Sequence, residues 1–240
     1  MTLSRERRPE LMDQPDADSG ELAKSLHDLA RVNRWLGGAS TATRLVLDLA
    51  RNISEQPVTI LDVGTGGADI PRKLIREARR VGLAVRILAT DLHPATVAMA
   101  ARATANSPEI AVQRADALDL PFTDAEFHFV TCCTTLHHFD RVEALQALRE
   151  MDRVARYGVV VTDLARSRAA LLGARLLAGT LWRDHPITRH DGPASVRAAF
   201  TPAELAELAE AVVGAAGRVR THPPFRLSLV IDRAATARRT

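Results

Sequence analysis

Ile60-Leu-Asp-Val-Gly-Thr-Gly-Gly-Ala-Asp69 is the stretch on which the fold of this chain turns. An apolar run from Val58 to Leu61 ends in an acid, Asp62, and glycines follow at Gly64, Gly66 and Gly67. A helical spacing of apolar residues then opens at Ile70. The order is strand, tight glycine turn, helix N-terminus, which brings backbone N–H groups up against a bound cofactor.

Two cofactor classes use this geometry. The dinucleotide fingerprint Gly-x-Gly-x-x-Gly is met by Gly64 and Gly66, but its third position holds Asp69. A carboxylate there would repel a pyrophosphate, and Asp62 before the turn is equally ill suited to one. Both acids suit a cofactor that carries positive charge and no phosphate. The segment resembles motif I of the class I S-adenosylmethionine-dependent methyltransferases, (Asp/Glu)-x-Gly-x-Gly-x-Gly, with Ala68 in place of the last glycine.

Downstream, strands alternate with helices. Strands are expected at 58–63, 84–90, 110–114, 127–132 and 157–162, with helices at 70–81, from Pro94, and at 141–155 (inward residues Val142, Leu145, Leu148 and Met151). Val81 is expected on the inner face of the 70–81 helix. Such alternation predicts an α/β, doubly wound sheet. Thr201-Pro-Ala-Glu204 is a capping box with proline at the first helical position. Two closing strands, 217–221 and 225–231, flank His222-Pro-Pro, read as a turn away from the cofactor. The resemblance implies a seven-stranded Rossmann-like methyltransferase sheet with the last strand antiparallel.

Upstream, the first fifteen residues are polar and predict a mobile tail. Helices are expected from Asp18 to Gly37 and from Thr41 to Arg51, the second with Leu45 and Leu49 inward. The expected organisation is an N-terminal tail and helical lid over 1–52 and a methyltransferase core over 53–240. Within the core, about 164–200 reads as a substrate-covering insertion made of one amphipathic helix and a polar loop.

Ligands of open α/β sheets sit at the carboxyl ends of the strands. Those ends supply Asp62, Gly64, Thr65 and Gly66, then Asp91 and Leu92, then Asp116 and Ala117, and then Cys133. The resemblance implies that Asp91 accepts from ribose hydroxyls and that Asp116 and Ala117 meet the adenine, so all of these are expected to bind S-adenosyl-L-methionine. Arg34 is the candidate for the cofactor carboxylate. Leu136-His-His138 resembles the Leu-His-His stretch of ubiquinone- and menaquinone-biosynthesis methyltransferases. A hydroxyl of pKa near ~10 benefits from a base, and histidine is the usual one; His137, His138 and His190 are the catalytic candidates. Trp35, Asp163 and Arg197 are candidate substrate contacts. A metal-assisted mechanism would need clustered ligands around Asp163, and no metal is expected.

The expected activity is methyl transfer to a small hydroxylated aromatic or polyketide-like acceptor, with O-methylation ahead of C-methylation on a quinol-like ring. A nicotinamide-dependent oxidoreductase and a non-catalytic binding protein are the readings from other classes. At 240 residues and 46% hydrophobic content the chain suits one globular unit. The net charge is +3 and the arginines are scattered, clustering only at 5–8 and 233–239, where solvated tails are expected; nucleic acid is not an expected partner. Adjacent Cys132 and Cys133 form no disulfide framework. No apolar leader or membrane-length run occurs, so a cytoplasmic monomer or homodimer without a membrane span is expected.

Overall fold

The structure is a computed structural model and describes residues 3–14, 17–214 and 217–233. The strands are β1 (Val58–Val63), β2 (Val85–Asp91), β3 (Ile110–Arg114), β4 (Phe127–Cys133), β5 (Ala155–Leu164), β6 (Gly217–His222) and β7 (Arg226–Asp232). They form one seven-stranded sheet in the order β3-β2-β1-β4-β5-β7-β6. β1 to β5 pair in parallel, and β7 runs antiparallel to both β5 and β6. The expected doubly wound α/β sheet with its last strand antiparallel is therefore present.

Side chains of a strand alternate between faces, and here both faces are apolar. Leu61, Val130, Val159 and Val161 belong to one core with α5 (Arg141–Val154) and α8 (Pro202–Val213), through Leu148, Met151, Leu205 and Leu208. Ile60, Phe129 and Val160 belong to the other, with α2 (Gly38–Ala50) and α3 (Asp69–Arg80), through Val46, Leu47, Leu74 and Ile75. Near-continuous apolar strands are what a sheet covered on both faces requires.

Local chemistry sets the boundaries. Asp140 and Glu143 form a capping box on α5, and Thr201 and Glu204 form the expected one on α8. Pro94 opens α4 (Pro94–Thr104), and the Asp18 carboxylate caps α1 (Ser19–Trp35). Some expected inward residues face outward. Val142 is 77% exposed because α5 turns Ala144, Ala147 and Met151 inward, and Val81 lies just past the end of α3. On α2, Val46 and Leu47 are buried, whereas Leu45 and Leu49 are only partly so.

The region 164–200 holds two helices, not one helix and a loop: α6 (Arg168–Gly179) and α7 (Pro186–Ala198). Gly192-Pro193 reads as a breaker, yet both residues sit inside α7. Packing overrides propensity here, because a Cβ on Gly192 would come within 2.8 Å of the Trp182 ring. Residues 3–14 are also not a free tail. They run along α7, with Glu6 N–H donating to the Arg197 carbonyl at 3.2 Å. Arg5 donates to the carbonyls of Ala198 and Phe139, both at 2.6 Å, and its guanidinium stacks on Phe200. At the other end Arg233 bonds the Ala155 carbonyl at 2.7 Å, and residues 234–239 lie outside the described residues. Among the described residues no helix is long and apolar enough to cross a membrane.

Gly158 on β5 tests the β5–β7 junction. A Cβ there would lie 2.1 Å from the Ile231 carbonyl oxygen. Gly158→Ala is expected to cost about 1–3 kcal/mol by overpacking, read as a lower urea midpoint with an unchanged slope.

Candidate active site

Sheet order reverses between β1 and β4, and the crevice above that point is where such folds place a ligand. A cavity of about 1260 Å³ opens there. Its floor is the turn after β1. Gly64 and Gly66 have φ of 70° and 54°, and Ala68 joins them at 55°. A Cβ on Gly64 would lie 2.4 Å from the Thr135 side chain, so only glycine lets the two loops meet. Thr135 Oγ1 then donates to the Gly64 carbonyl at 3.1 Å.

Carboxylates ring this floor. Asp62 is 3% exposed and accepts from Thr131 Oγ1 at 2.6 Å. Asp91 accepts from the N–H groups of Gly66 at 3.0 Å and His93 at 3.1 Å, one on each oxygen. Asp69 accepts from Asn33 Nδ2 at 3.3 Å. Burial raises all three above the ordinary aspartate value, Asp62 to about 6. No salt bridge reaches any of them among the described residues. Asp116 accepts from the Leu118 N–H at 2.9 Å on the far wall, beside Ala117. Leu92 and Cys133 also line the cavity.

The opposite corner is built by the short 3-10 turn Leu136–His138 and the N-terminal strap. His137 is 1% exposed; its Nδ1 pairs with Asp163 Oδ1 at 2.7 Å, and its backbone N–H donates to Asp163 Oδ2 at 3.0 Å. Its Nε2 faces Glu10 Oε1 at 3.5 Å. His138 pairs through Nδ1 with Asp13 at 2.7 Å, and its Nε2 lies 3.8 Å from Glu10 Oε2. Burial works against charge on all of these groups, but mutual attraction outweighs it. Asp163 and Glu10 hold His137 up to about 10, and the two imidazoles hold Glu10 down to about 2. Asp163 is lowered by His137, and His138 is raised by Glu10 and Asp13.

The structure thus brings eleven of the expected site residues to one cavity: Asp62, Gly64, Thr65, Gly66, Asp91, Leu92, Asp116, Ala117, Cys133, His137 and His138. Asp163 lies directly behind His137 rather than on the wall. Four others lie elsewhere. Arg34 points to solvent, and Trp35 is 57% exposed beneath the Arg31 guanidinium. His190 is on the outer side of α7, half-exposed and paired with Asp191. Arg197 pairs with Glu6 at 2.7 Å and anchors the strap.

Glu10, Asp13, Asn33 and Arg226 were not legible as site residues. Arg226 is 2% exposed and lines the cavity, with Nη1 donating to Thr134 Oγ1 at 3.1 Å and Nη2 to Asn33 Oδ1 at 3.0 Å. Its Nε is buried with no hydrogen-bond partner. The one signal was a lone arginine heading the apolar run Leu227-Ser-Leu-Val-Ile231. Pro224 and Phe225, in the turn read as remote, also line the cavity.

Comparison with known proteins accords with this geometry. Residues 60–158 match the family model of the methyltransferase domain. A solved S-adenosylmethionine-dependent methyltransferase from Aquifex aeolicus superposes with a TM-score of 0.60 at 19% identity, covering 89% of this chain and 97% of that one. The chain carries the fold of the class I S-adenosylmethionine-dependent methyltransferases. Within that class it resembles quinone-biosynthesis members. It is 32% identical over 128 residues to the demethylmenaquinone methyltransferase of Deinococcus radiodurans, covering 52% of this chain and 51% of that protein. It is 36% identical over 99 residues to the 2-phytyl-1,4-naphtoquinone methyltransferase of Thermosynechococcus vestitus, covering 41% and 42%. The chain thus matches about half the length of these curated relatives or less.

S-adenosyl-L-methionine is the cofactor of this class, and the residues present fit it. Three carboxylates with raised pKa, one buried and two half-buried, sit beside a glycine turn and suit a cationic ligand. Arg226, a buried guanidinium with an unpartnered Nε, suits a carboxylate.

The strap is held from α7. Asp191 accepts the N–H groups of Leu11 at 2.8 Å and Met12 at 3.0 Å, as a cap supplied from a distant element. Asp191→Ala is expected to remove about 1 kcal/mol of local stability, the worth of a lost helix cap. Hydrogen exchange at the Leu11 and Met12 amides should then be roughly fivefold faster, with the β4 amides unchanged.

Proposed function

We propose that this protein transfers the methyl group of S-adenosyl-L-methionine to a small, hydroxylated aromatic or polyketide-like acceptor, with oxygen as the favoured acceptor atom. The observation that carries this reading is the ring of carboxylates, buried Asp62 with half-buried Asp69 and Asp91, around a glycine turn at the switch point of the sheet. A phosphorylated cofactor would be repelled there, which weighs against the nicotinamide alternative.

When bound, the cofactor supplies an electrophilic methyl carbon on a sulfonium. The chain's own residues do the rest by placement. Asp91 keeps acceptor capacity on both oxygens for ribose hydroxyls. Asp116 and Ala117 face the base. Arg226, with Asn33 and Thr134, takes the carboxylate role expected of Arg34. α1, α6, α7 and the strap act as the lid over the acceptor, because Leu29, Val32, Leu177, Trp182 and Val196 give the cavity a largely apolar wall. The Glu10–His137–His138 corner is the polar exception, and it receives the acceptor hydroxyl. A second reading, C-methylation ortho to that hydroxyl on a quinol-like ring, draws on the named quinone relatives. Incubation with hydroxylated naphthalenes and simple phenols, with the product read by mass and proton NMR, separates an O-methyl from a ring methyl; no methylated product from either set sinks the acceptor class.

The cofactor site has a signed pH dependence. Asp62 rises from 3.8 to about 6 in the fold, so alone it binds extra protons between those values and lowers stability as pH climbs through that window. A cation beside it reverses the preference and expels the proton. Calorimetry near pH 6, in buffers of differing ionisation enthalpy, should show proton release on cofactor binding and weaker affinity as pH falls. Asp62→Asn should abolish the proton release, and Asp62→Asn and Asp91→Asn should each weaken binding roughly 10- to 100-fold. Affinity equal to wild type in both would refute the assignment. Turnover in His190→Ala should match wild type, since His190 lies outside the cavity.

A further inference from the structure

We propose that Glu10, His137 and His138 form a binding site for a divalent first-row transition ion, zinc being the best fit, at the acceptor end of the cavity. One ligand atom from each residue lies within 4.8 Å of the other two.

The separations decide between a hydrogen-bonded cluster and an ion site. His137 Nε2 lies 3.5 Å and His138 Nε2 3.8 Å from the two Glu10 oxygens. Good N–H···O bonds close to about 2.9 Å, and the same two rings make contacts of 2.7 Å on their other nitrogens. Two ligands at roughly 2.1 Å from one tetrahedral ion stand about 3.4 Å apart. The 3.5 Å between His137 Nε2 and Glu10 Oε1 matches that edge, and His138 Nε2, 3.8 Å from the other oxygen, Oε2, is also nearer to it than to a hydrogen bond.

The surroundings agree. Each ring gives its Nδ1 to a carboxylate, Asp163 for His137 and Asp13 for His138. Once an ion displaces the Nε2 proton, that second carboxylate keeps each ring protonated at Nδ1 and raises the basicity of Nε2 as a ligand. Ser195 Oγ donates to Glu10 Oε1 at 2.6 Å, so the ligating carboxylate is itself oriented. Two imidazoles and one carboxylate suit zinc or iron(II) better than magnesium, which prefers oxygen donors.

Three protein ligands leave a coordination position open, as in catalytic sites. All three residues line the cavity. The open position takes the acceptor's hydroxyl oxygen, and the ion lowers its pKa so that the oxyanion is the nucleophile. The proton leaves to solvent through the cavity mouth and no redox step occurs. This role rests on the methyl-transfer reading; the ion site itself does not. The site also explains why the strap is pinned so thoroughly, since one ligand, Glu10, comes from it.

The test uses tag-free, full-length protein dialysed against a chelator, without cofactor or acceptor. Calorimetric titration with Zn²⁺ is expected to saturate at one ion per chain, and Co²⁺ to develop the visible absorption of a low-coordinate N₂O site. Glu10→Gln and His138→Gln should each weaken Zn²⁺ binding at least about 100-fold, and Asp13→Asn about 10-fold. His190→Gln, outside the corner, should bind as wild type does. Circular dichroism and melting check that each variant is folded, and Glu10→Gln, on the strap, keeps the test open if a histidine variant is not. Absence of saturable binding of either ion, or wild-type affinity in folded Glu10→Gln, overturns the site. Cofactor binding is measured separately, so failure of the ion site and failure of the methyltransferase reading are told apart.

Discussion

Uncompensated negative charge at the carboxyl edge of the sheet is the constraint from which the rest of the molecule follows. Asp62 is buried and Asp69 and Asp91 half-buried, with hydrogen bonds from Thr131, Asn33, Gly66 and His93, yet without an ion pair among the described residues. Burying a carboxylate is costly unless something cationic meets it. The fold tolerates the cost because the strands beneath are apolar on both faces and the sheet is covered by helices throughout its centre. The stability lies in the sheet and its two cores, while the electrostatic strain is concentrated at the cavity.

A second consequence is the way the cavity is closed. Its roof comes from α1, α6, α7 and residues 3–14, segments remote from one another in the chain. They are tied by polar links that have no periodic signature. His185 and Thr188 of the α7 region bind Asp28 of α1, Asp191 caps the strap, and Arg5 and Arg197 fasten it along its length. That side of the cavity is thereby assembled from segments outside the sheet, tied to one another by side-chain contacts.

Some of this was plain in the chain itself and some was not, for specific reasons. The turn after β1, the acids at the ends of β2 and β3 and the capping boxes are local: each depends on residues within a few positions of one another. β1 and β3 begin and end where the residue pattern places them. Arg34 and Trp35 were misplaced because a helix face cannot be oriented without knowing what it packs on; Asn33, one residue away, is the one turned inward. His190 was expected on a polar loop over the active site because Gly192-Pro193 reads as a breaker. The segment is helical instead, and glycine stands at 192 because the Trp182 ring fills the space a side chain there would need.

By itself the sequence determined the class of fold, the glycine turn after β1 and the acids that stand beside it. Those properties are written in short-range spacing, and period and composition report them directly. Only the tertiary structure decided that Glu10 meets His137 and His138, that Asp163 stands behind His137 and that Arg226 reaches Asn33. These contacts join residues 26 to 193 positions apart, and no local pattern encodes which distant side chains a closed cavity will bring within reach.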